Sequence, residues 1–149
     1  MSEKIKLEVS DNHRRIISTT LGHLDETLCM FRRWAEGQEI SSVLFKEQNA
    51  LSPRQRERLR LAILELEEQI REMRDTLELR ENVKPVASAI RGHCACLWAD
   101  LLKIQSHHLR GYGEPSPAFA DYLDPRIRRL GALMQRLPEI VMNEEAVVK

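Results

Sequence analysis

Apolar residues recur along this chain at alternating intervals of three and four, the spacing that keeps them on one side of an α-helix. The pattern arises four times. The first stripe is Ile17, Leu21, Leu24, Leu28, Phe31 and Ala35, within a helix predicted from Asp11 to Glu36. Ser10 or Asp11 can cap its free N–H groups, and Gly37 can supply the left-handed residue that ends it. The second stripe is Leu59, Ile63, Leu66, Ile70, Met73 and Leu77. It follows Ser52-Pro53-Arg54-Gln55, a capping box with proline at the first helical position, and can run to about Glu81.

The third stripe is Val86, Ile90, Cys94, Leu97, Leu101 and Ile104, in a helix that opens at Pro85 and stops near Gly111. A strong loop signal, Gly111 to Pro117, comes next. Ser116-Pro117 starts a short helical piece, and Asp124-Pro125 restarts it with Asp124 as cap. Leu123, Ile127, Leu130, Met134, Leu137 and Val141 form the fourth stripe, with Pro138 inside it, which predicts a kink or an early end. Between the first two helices, Gln38 to Leu51 carries Ile40, Val43, Leu44 and Phe45. This stretch is too apolar for a plain loop, and it predicts a short helical turn packed over one end of the bundle.

Short connections between amphipathic helices favour antiparallel neighbours. The expected fold is therefore all-α: an antiparallel up-down-up-down four-helix bundle with a short extra helical segment between helices 1 and 2. It forms a single domain over residues 1–149, with flexible ends at about 1–9 and 143–149. Two hairpins that open and pair with a second chain share the same stripes.

Composition agrees with helix, since aromatics make up only 5% of the chain and glycines number six. The formal net charge is zero, so bulk charge points to no polyanion or membrane. Three cysteines form no disulfide framework, Met1 to Val9 is polar, and no apolar run approaches the ~20 residues of a membrane span. A cytoplasmic protein is expected.

Candidate metal chemistry centres on His23, His93, Cys96 and Asp100. His93 and Cys96 are three apart and can share a helical face, which Asp100 and His107 continue. Cys94 and Cys96, by contrast, lie about 200° apart around a helix. Thiols in a core and polar residues at its margin explain the same set, so no metal or cofactor is expected. The Glu65, Glu68, Glu72 and Asp75 row superficially resembles the magnesium-binding rows of all-α nucleotide pyrophosphohydrolases, but it lies away from the apolar stripe, towards water. Glu-x-x-His, the signature of di-iron bundles, does not occur. Nor is there a nucleophile elbow or a phosphate-cradling glycine loop, so no catalytic residue is assigned.

Charge polarity is the remaining signal. Helix 2 opens with Arg54, Arg56, Arg58 and Arg60, and arginines there oppose the helix dipole. In the expected topology Arg32, Arg33, Arg54, Arg58, Arg110, Arg126 and Arg129 gather at one end and recognise an acidic partner. Local pairing with Glu36, Glu39, Glu47, Glu57, Asp121 and Asp124 is the competing explanation. The reading that results is a non-enzymatic helical bundle acting through protein contacts, with a protein partner or a second copy (a homodimer). Nucleic acid is disfavoured because exposed stacking aromatics are few. The alternatives are a metal or small-ligand binder using the bundle interior, and an enzyme whose site is completed at an oligomer interface.

Overall fold

The computed structural model describes residues 7–147, with side-chain surroundings up to Met142. Its elements are α1 (Asp11–Ala35), α2 (Pro53–Leu77), α3 (Val86–Leu102) and α4 (Pro117–Val147), with 3-10 turns at Ser106–His108 and Arg110–Tyr112. The protein is all-α. Among the described residues the nearest thing to a sheet is one isolated bridge, Ser41 to Lys46. The chain divides into two compact units, Met1–Asn82 and Val83–Lys149.

In the first unit α1 and α2 pack as an antiparallel hairpin. Ser10 accepts the His13 N–H at the start of α1, and the Ser52–Gln55 capping box forms in both directions at the start of α2. The seam holds Leu28 and Ile63, each 2% exposed, together with Ala35, and Phe31, Leu59 and Ile70 pack around them. Two members of the expected stripes depart from them: Leu24 is 38% and Leu66 43% exposed, and Glu67, beside Leu66, is buried instead. The carboxylate of Glu67 accepts from Arg32 of α1 and lies 3.6 Å from Arg71. Burial of a charge is tolerated where partners replace its water. At the far end, Arg14 Nε donates to the Leu77 carbonyl (2.9 Å), and the Asn82 amide donates to the Ser18 carbonyl (2.9 Å). These bonds tie the exit of α2 to the first half of α1.

In the second unit α3 and α4 form another antiparallel hairpin. Trp98 lies over Gly131, where a β-carbon would overlap its ring, so the two helices meet closely at that level. Helix α3 ends at Leu102, well short of the expected Gly111. Asp124 supplies the reason. Rather than capping a helix restart, its carboxylate accepts the Ser106 N–H (2.9 Å) and the Ser106 hydroxyl (2.6 Å), which draws the chain out of the helix into the 3-10 turns. Ser116 caps α4 by accepting the Phe119 N–H. From there α4 is one helix that contains both Pro125 and Pro138, and neither proline ends it. Each proline lacks the N–H that would bond four residues back, and the helix continues past both. The backbone of α4 continues through Val147, past the expected fraying point at 143. The expectation for residues 1–6 and 148–149 lies outside the described residues.

Candidate functional site: the loop pole of the first hairpin

The α1–α2 connection is where the structure departs most from the sequence reading. Residues 38–52 form no helix and do not cover the hairpin. Ser42 N–H donates to the Phe45 carbonyl (2.7 Å) and Glu47 N–H to the Ile40 carbonyl (2.8 Å), which makes a tight two-stranded turn. Two side chains fasten it to α1. Glu47 Oε1 accepts the Ile40 N–H and its Oε2 accepts the Trp34 indole N–H, both at 2.9 Å. The Asn49 amide donates to the carbonyls of Trp34 (2.9 Å) and Gln38 (3.0 Å), and Glu39 accepts the Asn49 N–H (3.0 Å). Bonds to side chains thus replace the i to i−4 bonds of a helix in the loop, while the last carbonyls of α1 accept the backbone N–H groups of Glu36, Gly37 and Gln38, with Asn49 adding a second bond to Trp34. Gly37, at φ +83°, makes the exit from α1, with the Arg56 guanidinium packed against it.

The apolar residues of this loop face outward. Val43 is 94% exposed and Leu44 fully exposed, and Ile40 and Phe45 are open as well. A loop pinned at its base therefore presents an apolar tip to solvent.

The candidate arginines have different fates. Arg32, Arg33, Arg54 and Arg58 belong to the first unit, whereas Arg110, Arg126 and Arg129 belong to the second. Arg32 is committed to Glu67, which holds its guanidinium above the usual arginine range. Arg110 lies 3.7 Å from Glu114. Arg126 sits over the Tyr122 ring, 3.7 Å from its centroid, and donates to the Tyr122 carbonyl. Arg129 is exposed. Arg33, Arg54 and Arg58 are exposed and make no ion pair among the described residues. They lie at the end of the hairpin from which the loop projects.

Nearby carboxylates do not neutralise these three. Glu57 is taken by Arg60 at 2.6 Å, a hydrogen bond that holds its carboxyl below the usual range. Glu39 and Glu47 bind the loop backbone, and Glu36 accepts from Gln38. Local pairing therefore accounts for Arg32 and Arg60 but leaves Arg33, Arg54 and Arg58 as free cations beside an apolar tip.

Comparison with protein-family models, curated proteins and solved structures finds no match.

Other chemistry is weaker. Among the described residues no group of three or more His, Cys, Asp or Glu side chains could hold a metal ion, and His23, His93, Cys96 and Asp100 are each exposed. No described helix is long and apolar enough to cross a membrane. A basin of about 590 Å³ opens beside the start of α1, lined by Arg14, Arg15, Arg80, Asp11, Glu78 and Glu81 among others. Its charges balance, and Arg14 already bonds Asp11 and the Leu77 carbonyl, so the basin reads as the tie between α1 and the exit of α2. Sequence reasoning missed Asn49 and Ser106, the fastening of the loop by Glu47, and the burial of Glu67, whose i,i+4 pairing with Arg71 its spacing does show. Only Glu67 left a legible trace: it falls four after Ile63 and three before Ile70, inside the helical stripe.

Proposed function

We propose that this protein is a non-enzymatic, cytoplasmic protein-binding module that docks an acidic partner protein through the 38–52 loop and the adjoining arginines. The observation that carries the reading is the full exposure of Val43 and Leu44 on a loop whose base is held by Glu47 and Asn49. Water contact with such side chains is unfavourable by roughly 1.5–3 kcal/mol per residue relative to burial. Apolar anchors with a polar surround are the usual anatomy of a protein interface. Holding the loop in place beforehand lowers the entropy lost on docking. Arg33, Arg54 and Arg58 add carboxylate recognition around the tip, because guanidinium binds carboxylates bidentately. An acidic protein fits better than nucleic acid, since the exposed side chains Ile40, Val43 and Leu44 are aliphatic and Phe45 is the single ring in the loop on which a base could stack. The three free cysteines accord with a reducing compartment.

A photo-crosslinking residue at position 44, introduced in the native cell, should trap a discrete partner that the same residue at Gly92 does not trap. The Leu44→Asp and Arg54→Glu/Arg58→Glu variants should lose that partner while keeping the helical spectrum. Identical crosslinks from positions 44 and 92, or full retention of the partner by both variants, would defeat this reading.

A further inference from the structure

We propose that the α3–α4 hairpin is half of a four-helix bundle, completed by the same hairpin of a second copy of this chain. The surface lies in the second unit and is independent of the loop pole. Helix α3 is apolar nearly all round, yet none of its residues is buried. A helix of that kind is normally enclosed. Helix α4 turns Ile127 and Gly131 towards α3. A second stripe, Phe119, Tyr122, Leu130, Leu133, Leu137 and Ile140, runs beside that seam and is exposed along its whole length. At 100° per residue this stripe is displaced about 60–140° to one side of the seam. Val86, Ile90 and Leu97 are displaced to the matching side of α3. Because the helices are antiparallel, the two displacements fall on the same face of the hairpin.

That face complements itself. Trp98 is level with Gly131, and Ser106 with Asp124, so residues whose numbers add up to about 229–230 share a height. A twofold axis parallel to the helices lays α3 of one copy antiparallel on α4 of the other and preserves these heights. Leu97 then meets Leu133 of the other copy, and Ile90 meets Ile140. Asp100 stands level with Arg129, which is exposed and makes no ion pair among the described residues. Asp100 itself has only an exposed partner, Lys103 at 3.5 Å. Arg126, the one charge within the α4 stripe, is folded back over Tyr122 and does not confront the partner bare. Two stripes of this length offer on the order of 800 Å² per copy, what a standard stable interface uses. The first hairpin is a poorer cover. Of its exposed leucines on α2, Leu61 and Leu64 share one side and Leu66 lies across the helix from both, and Thr20 and His23 interrupt the apolar side of α1.

Sedimentation equilibrium of the full chain across a dilution series tests the proposal. The wild type should be a dimer, and Leu133→Glu/Leu137→Glu should be a monomer with its helical spectrum intact. Charge reversal provides a test that does not depend on the tolerance of the apolar stripe. Asp100→Arg alone and Arg129→Asp alone should each weaken self-association by about tenfold, since a symmetric dimer contains the pair twice. Mixing the two variants should restore it, because every contact across the mixed dimer is again opposite in charge. A strict monomer at high micromolar concentration overturns the proposal, and so does a dimer unaffected by Leu133→Glu/Leu137→Glu. A mixture that associates no better than its components overturns the register.

Discussion

Three alanine substitutions in the first hairpin separate the seam that the structure assigns from the one a perfect stripe implies. Leu28 and Ile63 are each 2% exposed and share one cluster, so Leu28→Ala removes packed methyl groups and leaves a cavity. Such changes cost about 2–5 kcal/mol. Ile63→Ala falls in the same range, and because the two side chains belong to one cluster their effects should not add. A coupling energy of about 0.5–3 kcal/mol is expected from the double-mutant cycle. Leu66 completes the same sequence stripe but is 43% exposed. Its burial recovers only about half of the roughly 1.5–3 kcal/mol available to a fully enclosed leucine, and truncation opens no closed cavity. Leu66→Ala should therefore cost about 1 kcal/mol. Urea unfolding followed by circular dichroism resolves these differences, and for a unit of this size each kcal/mol also moves the melting temperature by about 4–8 °C. Equal losses for Leu66→Ala and Leu28→Ala would refute the placement of Glu67, rather than Leu66, at the α1–α2 seam.

Two further predictions concern the second hairpin. Gly131→Val places a side chain where the Trp98 ring lies, and should destabilise by about 1–3 kcal/mol, visible as a lower urea midpoint and a shifted tryptophan emission. The Ser106 hydroxyl and N–H hold the Asp124 carboxyl below the usual range, so its contribution is fully present above the ordinary aspartate value of about 3.9 and fades as pH falls through the lower folded value. Ser106→Ala should move the Asp124 titration, followed by carboxyl carbon NMR, back up towards that value, and an unmoved titration would show that the hydroxyl does not set it.

Local chemistry was enough to place the four helices. Ser10, the Ser52–Gln55 box, Ser116 and Gly37 mark helix starts and an end through bonds a few residues long, and three-four spacing locates the seam of the first hairpin around Leu28 and Ile63, whereas Val86, Leu97, Ile104, Leu130 and Leu137 of the α3 and α4 stripes stay exposed. The arginines at the start of α2 were equally visible, because opposition to the helix dipole is a property of position alone. What escaped depended on partners far along the chain. Asp124 looks like a cap beside Pro125, but Ser106, eighteen residues earlier, claims its carboxylate and ends α3 early. Glu67 looks like half of a local helical pair with Arg71 until Arg32, thirty-five residues away, supplies the second cation that lets it displace Leu66 at the seam. Residues 38–52 look able to form a buried helical turn, yet Glu47 and Asn49 bond to Trp34, Gln38 and Ile40 and hold the segment open with Val43 and Leu44 in water. Periodicity records which residues are apolar. Which of them find cover depends on long-range hydrogen bonds that fix the backbone between the helices, and only the tertiary structure decides those.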